Sequence, residues 1–318
     1  MVPGIHLQGE MKSVLKVTAT LQKLLYSGSD APQRGTVKFL RHMAMKVASP
    51  PPYWDLSTDW IKQLKAKLFT PGLVRIKATS AIYKAIEDLV KKTWRPDLVG
   101  EGLDAKGLSH KDIKVSKIER IENFDLYRKY YDRRQELFKE ALKNRSPYKD
   151  IGSLPGSRGP ILTTKKAHAA LKHDDLYPEV NEHYVFHGTV PEVAEVIKEN
   201  GFDVRNSKCG MLGQAIYAAE ESTKADQYAD KRAERNDGDK KIFLCRLLFG
   251  DVMIGTIRPK DCKKPPCKDP QHADTACTQF HGFYDSVISD REGKFREFAV
   301  YDSRMVYPEY IITYKRLT

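Results

Sequence analysis

No run in this 318-residue chain approaches the roughly 20 consecutive apolar residues of a membrane-spanning helix, so no membrane partner is expected. The opening Met1-Val-Pro-Gly-Ile-His-Leu-Gln-Gly-Glu10 lacks the apolar core of a secretory signal. A nuclear or cytoplasmic, non-secreted protein is the expectation. Cysteine is scarce, at five residues, which in an unexported chain points to reduced thiols rather than a disulfide framework. Internal repeats and low-complexity tracts are missing, which excludes a solenoid or repeat array. Acidic residues are in deficit: the formal net charge is +12, and a basic surplus favours phosphate-bearing partners such as nucleic acid or an anionic cofactor. Lys62, Lys65, Lys67, Lys91, Lys92 and Arg95 fall on helical patterns, where such residues usually form the solvated face.

What is present suffices for a packed core, with 41% hydrophobic residues. Met11, Val14, Leu15, Leu21, Leu24 and Leu25 recur at helical spacing before Gly28, so residues 1–48 read as a basic helical N-terminal extension. The break Ser49-Pro-Pro-Pro-Tyr53 ends it, and 49–318 reads as one further unit. Within it Trp60, Ile61, Leu64, Leu68 and Phe69 form one amphipathic stripe, and Ile82, Tyr83, Ile86, Leu89 and Val90 another, with Ser57 and Thr79 placed to cap. The pattern predicts a strand over 112–122, then a helix capped by Asn123 whose apolar side carries Phe124, Tyr127, Tyr130, Tyr131, Phe138 and Leu142. Residues 145–166 are rich in Ser, Pro and Gly and read as a loop-rich insertion with little core of its own.

Short β-branched and aromatic runs then predict strands at 184–186, 215–218, 242–248, 298–301 and 310–314. Helices beside a mainly antiparallel sheet make the class α+β. Thr189-Val-Pro-Glu192 reads as a capping box opening a helix with Val193, Val196 and Ile197 inward and Gly201 at its end. A helix start beside His187 presents backbone N–H groups that suit a pyrophosphate or ribose oxygen.

Three polar constellations stand out: Tyr184-Val-Phe-His187-Gly188-Thr189, Gly210-Met-Leu-Gly213-Gln-Ala-Ile-Tyr217, and Arg296-Glu297-Phe-Ala-Val-Tyr301 ahead of Tyr307-Pro-Glu-Tyr310. Singly, each is ordinarily structural. Together, a His, a Tyr and a Glu on strands can fix a ribose, clamp a flat ring and stabilise a cationic sugar, which is the chemistry of cleaving a glycosidic bond in NAD⁺.

These stretches, with Gly201-Phe202-Asp203, Ser222-Thr-Lys224, Gln227-Tyr228 and Phe243-Leu-Cys-Arg246, resemble the catalytic domain of the poly(ADP-ribose) polymerases, in detail the tankyrase branch. The resemblance spans about 112–318 and many short matches in one order carry it. It implies the ADP-ribosyltransferase fold, NAD⁺ as substrate and protein acceptors, the chain itself included. By the same resemblance His187 holds the nicotinamide-side ribose and Gly188 meets the carboxamide through its backbone. Tyr217 and Tyr228 sandwich the ring, Glu297 faces the anomeric carbon, and Lys224 lies close to Glu297; Thr189 joins the cofactor-binding set. His187, Tyr217 and Glu297 form the catalytic set. Polymer elongation is favoured slightly over single transfer, with a non-catalytic NAD or ADP-ribose-binding module as the alternative and nucleic acid as an activator or acceptor.

Three positions depart from the family pattern. Ala215 replaces a Gly, Ala218 a Phe, and Ala225 a Ser whose hydroxyl would bind the carboxamide. Losing that hydroxyl leaves a bond unmade, at a cost of about 1 kcal/mol, unless Thr223 or water supplies it. Cys262, Cys267, His272 and Cys277 recur with four residues between each, a Cys₃His set that tetrahedral zinc accepts. Structural zinc sites prefer tighter Cys pairs, so a metal-free loop is the favoured reading. The small zinc site of tankyrases precedes the strand matched by Phe243-Leu-Cys-Arg246, whereas this cluster follows it, so the resemblance does not transfer.

Overall fold

The computed structural model describes residues 51, 53–55, 72–143, 148–167, 169–171, 176–231, 233, 235, 237–255, 262–269, 282–290 and 294–317. The helices expected over 10–25 and 60–69, with the Ser57 cap, lie outside them, as do His272 and Cys277. In chain order the elements are β1 (Gly72–Arg75), α1 (Ala81–Lys92), β2 (Asp112–Glu122), α2 (Phe124–Lys143), α3 (Leu162–Lys166), β3 (Glu182–Gly188) and α4 (Pro191–Asn200). They continue with β4 (Cys209–Gly210), β5 (Gly213–Gln214), β6 (Ile216–Ala219), α5 (Ser222–Asp226), β7 (Lys240–Leu248), β8 (Val252–Ile254), β9 (Ser286–Ser289), β10 (Glu297–Val300) and β11 (Val306–Leu317).

Among the described residues, nine strands form one sheet in the order β1-β2-β11-β7-β3-β6-β10-β9-β8. Every neighbouring pair is antiparallel except β8 with β9. This is the expected α+β class. Side-chain alternation sends Val185, Phe243, Cys245, Ile216 and Phe298 into a core under α2 and α4, and Phe186, Ile242, Leu244, Tyr310 and Ile312 into a second core under α1.

β2 has the bounds its alternation predicts, and Asn123 caps α2 by accepting from Leu126 N at 3.2 Å. α1 buries Tyr83, Ile86, Leu89 and Val90, but its cap is Ser80, which accepts from Tyr83 N; Thr79 is one residue too early. Lys91 and Lys92 pair with Glu87 and Asp88 one turn back, as on an ordinary solvated face. Leu142 on α2 is exposed.

Three expectations are corrected. α4 starts at Pro191 with Val190 as its N-cap and no side-chain cap bond, so Thr189 and Glu192 form no capping box. Pro at the first helical position is already preset in φ and has no N–H to satisfy. Val193 and Val196 point outward, 43% and 53% exposed, while Ala194 and Ile197 are buried; the small Ala194 lets α4 lie close to the sheet. The 145–166 segment is no coreless loop, since Ile151 and Ile161 are buried in the main core.

Proline in the central strand β11 coincides with a change of register between Pro308 and Tyr310. Proline cannot donate to a ladder and is tolerated at such irregularities. Glu309 there points into the core. It meets Arg246 at 2.7 Å and Tyr184 at 2.8 Å, with Tyr53 as a further donor. Trp54 stacks on Tyr307, ring centroids 5.9 Å apart, and so seats residues 53–55 on the same core.

Candidate active site

The middle of the sheet sets the site. On β10 and β6, Glu297 lies opposite Ala219 and Ala299 opposite Tyr217, which places Glu297 and Tyr217 diagonally on one face. Phe186 of β3 also pairs with Ala219, and His187 follows it, one residue before β3 ends at Gly188. His187 Nδ1 donates to the Tyr217 carbonyl at 2.7 Å, and its ring meets Phe202 edge-on with centroids 4.8 Å apart. Burial lowers its pKa, so the imidazole is neutral. With the proton on Nδ1, Nε2 is left as a hydrogen-bond acceptor, which suits a sugar hydroxyl.

Gly188 is required by its neighbour. The carbonyl of Ala225 in α5 lies so close that an added Cβ would sit 1.7 Å from it. α5 thus rests directly on the end of β3. The helix is fixed from the other side as well, since Ser222 Oγ donates to Val90 O at 2.7 Å and Arg95 N donates to Thr223 Oγ1 at 2.6 Å. Thr223 is therefore turned to Arg95 and does not replace the hydroxyl that Ala225 lacks. Ala225 itself packs in the α1-side core, and Ala215 and Ala218 are likewise buried.

Tyr217 accepts from Leu212 N at 2.7 Å and donates to Gly213 O at 2.8 Å, so its hydroxyl is committed to the loop between β4 and β5. Gly210 lies against that ring, where a Cβ would come within 2.6 Å of it. Burial raises the Tyr217 phenol well above its ordinary pKa, which keeps it protonated. Tyr228, just past α5, is 38% exposed, so its ring is open to a ligand. Its hydroxyl donates to Asp104 Oδ2 at 2.7 Å. Burial and this carboxylate both raise the phenol pKa.

Lys224 projects from α5 to Glu297, Nζ to Oε1 3.4 Å, with side chains 11% and 17% exposed. The ammonium also lies 5.1 Å from the Tyr228 ring centroid and 5.7 Å from that of Phe295. Six of the expected site residues are thus linked: His187 to Tyr217, Gly188 to α5, and Lys224 to both Glu297 and Tyr228. Thr189 lies in the turn that follows, partly buried, and no described contact ties its side chain to the others.

Sequence reasoning gave no role to two contributors. Arg296, beside Glu297, binds Glu220 at 2.9 and 2.6 Å and the carbonyls of Gly159 and Pro160 at 2.8 and 2.9 Å, anchoring the start of β10. Its signal was adjacency to a candidate carboxylate. Asp104 lies 124 positions from Tyr228 and had no local signal.

The residues fit NAD⁺: a neutral imidazole acceptor, two aromatic faces and a carboxylate are the groups its ribose, ring and developing cation need. For a metal, the described residues contain no group of three or more His, Cys, Asp or Glu able to hold one. Cys262 and Cys267 are buried; Cys262 Sγ lies 3.4 Å from Lys264 O, and Cys267 Sγ accepts from Asp269 N at 3.3 Å.

The chain is 29% identical over 136 residues to the mouse (Mus musculus) protein mono-ADP-ribosyltransferase PARP12, covering 43% of this chain and 17% of that protein. It is 27% identical over 164 residues to the mouse and human (Homo sapiens) proteins mono-ADP-ribosyltransferase PARP11, covering 46% of this chain and 46% and 45% of them. It therefore spans less than half the length of these relatives. The poly(ADP-ribose) polymerase catalytic domain matches residues 99–316, a segment that holds every expected site residue from His187 to Glu297, and the chain belongs to that family.

Proposed function

We propose that this protein transfers single ADP-ribose units from NAD⁺ to protein acceptors and releases nicotinamide. The observation that carries the reading is Glu297, paired with Lys224 on the same face as Tyr217 and beside Tyr228. The bond between nicotinamide N1 and ribose C1′ breaks with its electron pair going to the departing ring. Positive charge then develops at C1′, and a carboxylate held there lowers the barrier. An acceptor nucleophile attacks C1′ and its proton leaves to Glu297 or to solvent. His187 orients the ribose through Nε2, Gly188 offers its backbone to the carboxamide, and the Tyr217 and Tyr228 rings hold the nicotinamide.

Single transfer is preferred to elongation because the relatives are named mono-ADP-ribosyltransferases. The resemblance of the His187, Tyr217 and Glu297 set to that of chain-elongating family members, which slightly favoured polymer, rests on the motif stretches alone. Incubating the purified chain with labelled NAD⁺ and sizing the labelled protein tests the reading. Discrete label without a ladder is expected. A ladder would restore elongation, and bound NAD⁺ without label or nicotinamide release would leave a binding module.

A further inference from the structure

We propose that Asp104 is a positioning residue for Tyr228 and biases the ring site toward the cationic pyridinium of NAD⁺ over the neutral nicotinamide it releases. The inference rests on the reading of Tyr228 as a ring-binding face. Asp104 sits on the one-turn helix Leu103–Ala105, upstream of β2 and far in sequence from α5. Three bonds hold this turn against the segment that bears Tyr228. Tyr228 Oη donates to Asp104 Oδ2 at 2.7 Å, Arg235 Nη2 donates to the Asp104 carbonyl at 2.6 Å, and Gln227 Nε2 reaches the Glu101 carbonyl at 3.4 Å. Ala105 is buried but Leu103 is 79% exposed, so apolar burial alone does not account for the placement of the turn.

A phenol that donates to a carboxylate gains electron density on its ring, because the charge-assisted bond moves the proton's share toward the acceptor. Lys224 acts the other way. Its ammonium, 5.1 Å from the Tyr228 centroid, is a cation already drawn to that π-system. Asp104 offsets this pull and restores the ring's attraction for a second cation. The nicotinamide of NAD⁺ carries that positive charge, whereas the product has lost it with the C–N bond. Asp104 therefore acts on the bound substrate and on product discrimination, and touches no reacting atom. Its loss raises KM without lowering kcat.

Calorimetric titration of the full chain with N-methylnicotinamidium, a cation, and with nicotinamide, its neutral counterpart, tests this. Asp104→Asn keeps an oxygen acceptor for Tyr228 and removes only the charge. It is expected to weaken the cation by roughly three- to fivefold, the scale of an exposed cation–π contact, with nicotinamide unchanged. Tyr228→Phe should give a similar selective loss, and adding Asp104→Asn to it should cost nothing more. With labelled NAD⁺, Asp104→Asn should raise KM at unchanged kcat. Equal weakening of both probes, or of neither, would overturn the inference. Failure of the wild-type chain to bind either probe would overturn the ring-site reading beneath it.

Discussion

Arg246 with Glu309 is a cation–carboxylate pair within the sheet, and Lys224 with Glu297 is one between α5 and the sheet; the two differ in how fully they are enclosed. Arg246 and Glu309 are fully buried at 2.7 Å, and Glu182, Tyr184 and Tyr53 complete their shell. Lys224 and Glu297 stand 3.4 Å apart, each with its side chain partly open. A charge taken wholly out of water must have its partners supplied by the protein. A charge left at the rim keeps capacity for a ligand. The two pairs match in charge; saturation separates the structural pair from the one proposed to act on a ligand.

Glu309→Gln should produce the largest effect and tests the saturated side. Removing one member of a fully buried pair typically costs about 3–5 kcal/mol, so chemical denaturation should show a marked fall in stability. Glu297→Gln tests the other side. Transfer should fall about 10²–10³-fold, as for loss of one placed electrostatic group, with the denaturation midpoint unchanged. Wild-type turnover in Glu297→Gln, or unchanged stability in Glu309→Gln, would break the comparison. Gly188→Ala falls between the two regions. Its methyl meets the Ala225 carbonyl, so α5 must move, at about 1–3 kcal/mol of stability. Because α5 carries Lys224, NAD⁺ binding should weaken in the same variant, which equilibrium titration would show.

The smallest effect concerns pH. Glu221, the N-cap residue of α5, is buried, and its Oε2 has no hydrogen-bond partner among the described residues. Burial, then the charge of Glu220, raise its pKa to about 7, against lowering by Arg158, Arg296 and Arg95. The fold therefore favours the protonated carboxyl. Its contribution is fully present below the unfolded value near 4.5 and is lost as pH rises through about 7. Glu221→Gln should match wild type at pH near 4.5 and melt higher than wild type at alkaline pH. A Tm difference independent of pH would show that Glu221 is not the titrating group.

The sequence disclosed elements where one period ran long enough to be read. β2 carries Ile113, Val115, Ile118 and Ile121 along eleven residues, β7 is apolar from Ile242 to Leu248 but for Arg246, and Asn123 announced α2. β1, β8 and β9, of three or four residues each, were missed, whereas β6 and β10, just as short, lie in the motif stretches and were found. On α4 Ile197 faces inward as expected, but Val193 and Val196 do not, because Ala194 was not weighed as a contact residue. The candidate residues that short motifs singled out, His187, Tyr217, Lys224 and Glu297, are ones the structure brings together. Asp104 and the stitching by Arg296 depend on chain crossings that no local pattern encodes.

The seating of Tyr53 and Trp54 bears on how the protein can be cut. A fragment begun at residue 99, where the family match starts, would lose the Tyr53 hydroxyl that accepts from Arg246 at 2.6 Å. It would also uncover the Tyr307 ring face and remove the bonds by which Val90 and Arg95 hold α5. Every catalytic candidate would remain in such a fragment. Its activity should nevertheless fall, because the missing segment supplies the scaffolding that keeps Lys224 beside Glu297 and completes the shell of the buried arginine.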